Sequence, residues 1–285
     1  MQDHQGASHE DQTPTPDDVA RMYDNSSALL SEVMGGNIHL GYWDGDDDTR
    51  SVAEATDALT GMVADRLALS PGMRVLDIGC GTGRPAVYVA GTYDVHVTGI
   101  TISPQQVELA LARPEVGEGP GRVAFECADG MALPFPDGRF DAVYAIESFL
   151  HMDDRAKAIA EAARVLRPGG MLVMANPYVE GELTEAEAEI VAANRELFQI
   201  PPVGSADDYV GHLRDAGLEV TEVLDIGENV RRSHAVAADT VRRAGDGHDG
   251  AFRQQLSEVA DIIERFGALQ QVGYGLIAAR TAAAR

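Results

Sequence analysis

Asp77 sits near the end of the run Arg74-Val75-Leu76-Asp77-Ile78, and Gly79-Cys80-Gly81-Thr82-Gly83 follows immediately. A glycine at every second position lets a ligand approach bare backbone, because glycine has no Cβ and tolerates φ > 0. Helix-forming sequence over 84–89 comes next, so its first amide N–H groups face whatever rests on the turn. One buried acid beside exposed backbone is the chemistry of a nucleotide-like cofactor site.

The elements around this turn must position it. The chain has 285 residues, of which 45% are hydrophobic, enough for one large core with a sizeable insertion. No apolar stretch approaches the roughly 20 residues of a membrane span, and the N-terminus lacks the pattern of a signal peptide. A cytoplasmic location without membrane contact is therefore expected. The net charge of −24 repels a phosphate backbone, which argues against nucleic acid and suits a cationic ligand. Cys80 and Cys127 are too few for a disulfide framework or a metal quartet, so no metal is expected.

Residues 1–16 read as an unstructured tail. Helices fit 17–34 and 51–69, forming a helical N-terminal arm or cap over 17–70 that is broken at Gly35-Gly36-Asn37. Strands then fit 74–78, 95–100, 123–127, 140–146 and 171–175, with helices over 84–90, 104–113 and 155–166 between them. This alternation predicts an α/β domain over 71–280 with a parallel sheet covered on both faces, whose ligands gather at the carboxyl ends of the strands. Beyond Ala175 the rhythm changes. Helices fit 182–198, 207–216, 233–244 and 251–266, and strands fit 218–224 and 272–278. The segment 177–205 reads as a lid insertion over the strand-end site.

Several motifs in fixed order carry a resemblance over roughly residues 17 to 280. They are the 75–83 run, then Gly99-Ile100-Thr101-Ile102-Ser103-Pro104-Gln105-Gln106, Ala128-Asp129-Gly130-Met131, Leu133-Pro134-Phe135, Phe140-Asp141-Ala142-Val143 and Val165-Leu166-Arg167-Pro168-Gly169-Gly170. The chain resembles the class I S-adenosylmethionine-dependent methyltransferases. The likeness implies a Rossmann-like sheet of seven strands with the last antiparallel. A dinucleotide oxidoreductase is the main rival. Its first turn reads G-x-G-x-x-G rather than the G-x-G-x-G found here, and its second strand ends in an acid where this chain has Thr101 and Ile102. Because many methyltransferases also carry that acid, the chain looks most like the subgroup of sugar, tocopherol, sterol, cyclopropane-lipid, teleocidin-type and antibiotic-tailoring enzymes.

The resemblance assigns residue roles. Asp77 and the amides of Gly79 and Gly81, beside Cys80, hold the methionine portion of the cofactor. Backbone at Thr101 and Ile102, together with Gln106, contacts the ribose. Asp129 accepts from the adenine amino group, with Gly130 and Met131 lining the base, although a turn or N-cap role also fits an aspartate there. Tyr23 corresponds to an N-terminal tyrosine that closes over the cofactor, or else packs an amphipathic helix on the core.

Glu147 and His151 lie just past the fourth strand, on the ligand side. A histidine there is a candidate base, since imidazole takes a hydroxyl proton near neutral pH; a loop hydrogen bond is the alternative. Related sugar O-methyltransferases carry an aspartate after the fifth strand, whereas this chain has Asn176, which can orient a substrate but cannot act as a base. The implied cofactor is S-adenosyl-L-methionine, leaving as S-adenosyl-L-homocysteine. The expected partner is a small, largely apolar natural product of secondary or antibiotic metabolism.

Asn176 and the Thr101–Gln106 stretch lean the expectation towards C-methylation of a prenyl alkene, with or without cyclisation. Two alternatives stand beside it: O- or N-methylation with His151 as base, and a methyltransferase-fold cyclase that transfers nothing. A homo-oligomer through the N-terminal arm is left open.

Overall fold

The computed structural model describes residues 13–114, 121–246, 248 and 250–283. Most of the tail expected at 1–16 lies outside them. Its last residues begin the first helix, α1 (Pro16–Val33). Thr15 caps that helix, and Asp18 bonds back to the Thr15 amide, a reciprocal pair that satisfies two free N–H groups. Ser51 and Glu54 repeat this device at α2 (Val52–Asp65). Each such cap stabilises its helix by about 1 kcal/mol.

Seven strands follow: β1 (Arg74–Ile78), β2 (His96–Thr101), β3 (Arg122–Cys127), β4 (Phe140–Ile146), β5 (Leu166–Val179), β6 (Leu218–Asp225) and β7 (Val272–Thr281). They form one sheet in the order β3-β2-β1-β4-β5-β7-β6. β1 to β5 run parallel, and β7 is antiparallel to both neighbours. The crossovers α3 (Arg84–Tyr93), α4 (Pro104–Leu111), α5 (Arg155–Val165), α6 (Glu185–Leu197) and α7 (Ala206–Asp215) return the chain to the amino edge or cover the sheet. Between β6 and β7 lie α8 (Gly227–Val230), α9 (Arg232–Ala244) and α10 (Gly250–Gly267).

Alternate residues of the central strands feed two cores. Val75, Val97, Tyr144 and Val173 point to one side, where Leu59 and Val63 of α2 pack against them. Leu76, Ile100, Val143 and Leu172 point to the other, against Ile159 of α5 and Leu213 of α7. A strand buried on both faces reads as a continuous apolar run, which is why these strands are visible in the sequence.

One element departs from the sequence reading. β5 extends well beyond 171–175, because β4 and then β7 supply partners from Leu166 to Val179. Within the segment 177–205, α6 packs on the end of α10, with Val191 against Phe266, Leu269 and Val272, and the stretch after it is held by Arg155, which donates to the Pro201 and Pro202 carbonyls.

Candidate active site

The turn after β1 carries three left-handed glycines: Gly79 at φ +78°, Gly81 at +51° and Gly83 at +82°. Space reinforces the conformational demand. A Cβ on Gly79 would sit 2.2 Å from the Ser148 Cβ, and one on Gly81 would sit 2.5 Å from the Ile38 Cδ1. The turn therefore forms the floor of a cavity at the carboxyl edge of the sheet.

One expected role changes here. The Gly79 amide donates to the Ile100 carbonyl at 2.9 Å, as does the Cys80 amide at 2.8 Å. Gly79 cannot also offer its N–H to a ligand carboxylate, so its part is to let the chain pass close to Ser148. The Cys80 thiol is buried and pushed well up by desolvation beside Asp77, so it stays protonated and is no nucleophile. Cys127 is exposed at the end of β3.

Asp77 lines the cavity floor and accepts from the Tyr144 hydroxyl at 2.8 Å. Burial pushes its carboxyl up to about 7, against the opposing pull of that hydrogen bond. A buried acid without a cationic partner is held near neutrality by desolvation. A ligand that brings a positive amino group supplies the missing partner.

The nucleoside side of the cavity holds Thr101, Ile102, Gln106, Asp129, Gly130 and Met131. The Asp129 Oδ1 accepts from the Met131 amide at 2.8 Å, the turn role anticipated as an alternative, and its second oxygen is not engaged in that turn. Gly130 has no room for a side chain, since a Cβ would meet the Met152 Cε at 2.5 Å. The Gln106 amide makes one hydrogen bond at each end. Its Oε1 accepts from the Thr101 hydroxyl at 2.5 Å, and its Nε2 donates to the Ser27 hydroxyl at 3.0 Å. Gln106 thus pins α1 to the cavity wall. Asp24 adds a second pin by accepting from the Ser103 hydroxyl at 2.5 Å.

That docking brings Tyr23 over the cavity, where its hydroxyl lies 2.7 Å from the His151 Nε2. His151 ends a single turn of 3-10 helix, Phe149–His151, tied down by Arg155, which donates to the Phe149 and Leu150 carbonyls. Its Nδ1 is enclosed. Burial pushes the imidazole down to about 4, against a smaller opposing pull from the Gln199 backbone. The ring is therefore neutral at pH 7 and able to accept a proton. The Tyr23 phenol is pushed upward by burial and by Glu147, so it keeps its proton.

Glu147 holds φ +50°, a conformation that β-carbon residues rarely adopt. Its Oε1 accepts from the Leu40 amide and the Tyr274 hydroxyl, each at 2.8 Å, and burial pushes its carboxyl up to about 7. Asn176 is set apart from these residues. It does not line the cavity, and although 2% exposed it has no partner at either amide atom. It projects from β5 on the same face as Met174 and Tyr178, within the core on the α5–α7 side.

Sequence reasoning missed His39, which also lines the cavity. A carbonyl only accepts, so the His39 Nδ1–H donates to the Leu40 oxygen at 2.8 Å, leaving Nε2 to face the Thr60 hydroxyl at 3.2 Å. Its position beside Leu40 in a loop gave no periodic signal.

A glycine cradle, a buried acid awaiting a cation, an aspartate with a spare oxygen and walls of Ile78, Ile100 and Met131 fit a sulfonium nucleoside carrying an amino acid. Residues 76–174 match the family model described as a methyltransferase domain. An O-methyltransferase of Penicillium expansum, cnsE, is 42% identical over 266 residues, 93% of each chain. The 27-O-demethylrifamycin SV methyltransferase of Amycolatopsis mediterranei is 42% identical, covering 94% of this chain and 98% of its own. Among solved structures, the [4+2]-cyclase SpnF superposes with a TM-score of 0.81 at 33% identity, covering 95% of this chain and 98% of the other.

Proposed function

The chain belongs to the class I S-adenosylmethionine-dependent methyltransferases, and from that premise we propose that it methylates a hydroxyl oxygen of a small, largely apolar natural product. The observation that carries this reading is the neutral His151, held against Tyr23 on the wall of the same cavity as Asp77 and Asp129. The relatives above named as O-methyltransferases support oxygen over the carbon acceptor that Asn176 favoured.

S-Adenosylmethionine, when bound, supplies a methyl group already activated by its sulfonium. The protein's own residues then have three tasks. Asp77 ionises against the cationic amino group, and the glycine turn admits the backbone-hugging part of the cofactor. α1, pinned through Gln106 and Asp24, closes the cavity and excludes water. His151 takes the acceptor proton. Its Nδ1 is enclosed, so the proton arrives at Nε2, the nitrogen that the Tyr23 hydroxyl contacts. A positioned base of this kind contributes about 100- to 10,000-fold.

Purified protein given methyl-labelled S-adenosylmethionine and a panel of phenols and secondary alcohols tests the reading. Label on an acceptor oxygen supports it, whereas label on carbon overturns it. A second reading has one observation in its favour: the SpnF cyclase shares 33% identity over 95% of this chain. Ring closure of a polyene without label transfer would establish that alternative.

A further inference from the structure

Three carboxyl side chains line the cavity, those of Asp77, Asp129 and Glu147, and among its described lining residues none is a lysine or an arginine. Asp129 belongs to the nucleoside side, and Asp77 on the floor awaits an amino group. Glu147 is the third, and nothing described so far supplies it with a cation.

Its placement is enforced from every side. The Glu147 amide donates to the Ala175 carbonyl at 2.8 Å, and the next residue, Ser148, donates its hydroxyl to the Ile78 carbonyl at 2.5 Å. Between these anchors Glu147 keeps its left-handed backbone, a conformation that persists only where the surroundings over-determine it. The Leu40 amide and the Tyr274 hydroxyl both donate to Oε1, which stops the carboxyl group from swinging away. Oε2 is neither hydrogen-bonded nor enclosed, and the residue lines the cavity, so this oxygen faces the space that a ligand fills.

Asp77 and Glu147 stand at different depths. Tyr144 is level with Asp77 across the β1–β4 pair, and Glu147 lies three residues farther along the chain, past the end of β4. There it comes near the Tyr23–His151 pair, since its charge helps to push the Tyr23 phenol upward. No neighbour brings a positive charge at pH 7. Tyr23 from α1 and Tyr274 from β7 are pushed up by burial, while His39 and His151 are pushed down to about 4. For want of a cation, burial pushes the Glu147 carboxyl up to about 7.

S-Adenosylmethionine carries two positive charges, an ammonium and a sulfonium, whereas S-adenosylhomocysteine carries only the ammonium. We infer that Glu147 is the counter-charge of the sulfonium, the residue by which this protein tells the methyl-bearing cofactor from the spent one. Asp77 serves the ammonium that both forms share, and the Oε2 of Glu147 serves the end where His151 and Tyr23 meet the reaction. Once the methyl group has been transferred, Glu147 faces a neutral sulfur and loses its partner, which favours release of the spent cofactor. The assignment rests on the methyl-transfer reading for the identity of the cofactor, and not on which acceptor atom is methylated.

Calorimetry with S-adenosylmethionine, S-adenosylhomocysteine and sinefungin tests it, because sinefungin carries an amine, cationic at neutral pH, in place of the methylated sulfur. Glu147→Gln keeps an oxygen for Leu40 and Tyr274 to donate to and removes the charge. At pH 7 it should weaken S-adenosylmethionine and sinefungin at least about fivefold relative to S-adenosylhomocysteine. A cation deprotonates Glu147 on binding, so its binding strengthens as pH rises. In the native protein the affinity ratio of S-adenosylmethionine to S-adenosylhomocysteine should therefore climb at least about fivefold from pH 5.5 to 7, with Asp77 cancelling from the ratio. In Glu147→Gln the ratio should not climb.

Smaller changes in either ratio, or sinefungin behaving like S-adenosylhomocysteine, would overturn the assignment. Uptake of S-adenosylhomocysteine within about twofold of native shows that the variant is folded, and should it be lost, the pH series on the native protein decides alone. Failure of the ratios leaves the methyl-transfer reading standing, whereas a native protein that takes up neither form of the cofactor overturns both.

Discussion

Along the carboxyl edge of the sheet, the β1–β3 half lines the cavity with backbone turns and single carboxylates, whereas the β4–β7 half presents tyrosines, histidines and inserted helices. The first half is assembled from neighbours in sequence, such as Asp77 with Gly79 and Gly81, or Asp129 with Met131 two residues on. The second is assembled across the chain. Tyr23 reaches His151 over 128 residues, Tyr274 reaches Glu147 over 127, and Gly41 reaches Ser233 over 192. The first half therefore rests on local spacing, and the second on tertiary closure.

The sharpest way to separate the halves is His151→Ala. Turnover should fall about 1,000-fold while affinity for S-adenosylhomocysteine stays within about threefold, because the imidazole acts on the acceptor proton. An equal loss of cofactor affinity would erase the division. Gly79→Ala should do the reverse, weakening cofactor binding about 100-fold by forcing a Cβ into Ser148 at a left-handed backbone position.

A pH series probes the same floor. Asp77 sits near 7 in the free protein and must ionise to meet a cation. Cofactor affinity should therefore rise with pH up to about 7, by as much as tenfold per unit. The contribution of Asp77 to the stability of the free protein should move the other way. A carboxyl raised from 3.8 to about 7 binds its proton more tightly when folded, so that contribution falls as pH climbs from about 4 to 7. Thermal melts of the native protein against Asp77→Asn, with and without S-adenosylhomocysteine at pH 5 and 8, read both slopes. The smallest effect belongs to the hinge between the halves. Gln106→Ala removes the link between Ser27 of α1 and Thr101 of β2 and should weaken cofactor binding about threefold with little change in thermal stability.

Much of the site was legible because its chemistry depends on spacing along one strand and turn. The 75–83 run named the cofactor half, and the residues assigned to it, from Thr101 to Met131, line one cavity. Hydrogen-bond geometry was the part that spacing did not carry. The Gly79 amide is spent on Ile100, and Gln106 gives one donor to Ser27 and one acceptor site to Thr101 while lining the cavity. Neither allocation can be inferred from residue order. Asn176 was placed at the site from its position after β5, yet strand alternation turns its side chain into the core on the α5–α7 side.

Apolar runs long enough to be buried on both faces, broken by glycine turns and capped helices, determined an α/β sheet from composition and order alone, since those preferences act between near neighbours. Tertiary structure alone decided that Tyr23 meets His151, that α6 lies on α10, and that His234 packs on Phe266. Such contacts arise only when remote segments exclude water together, and no local period in the chain records which segments those will be.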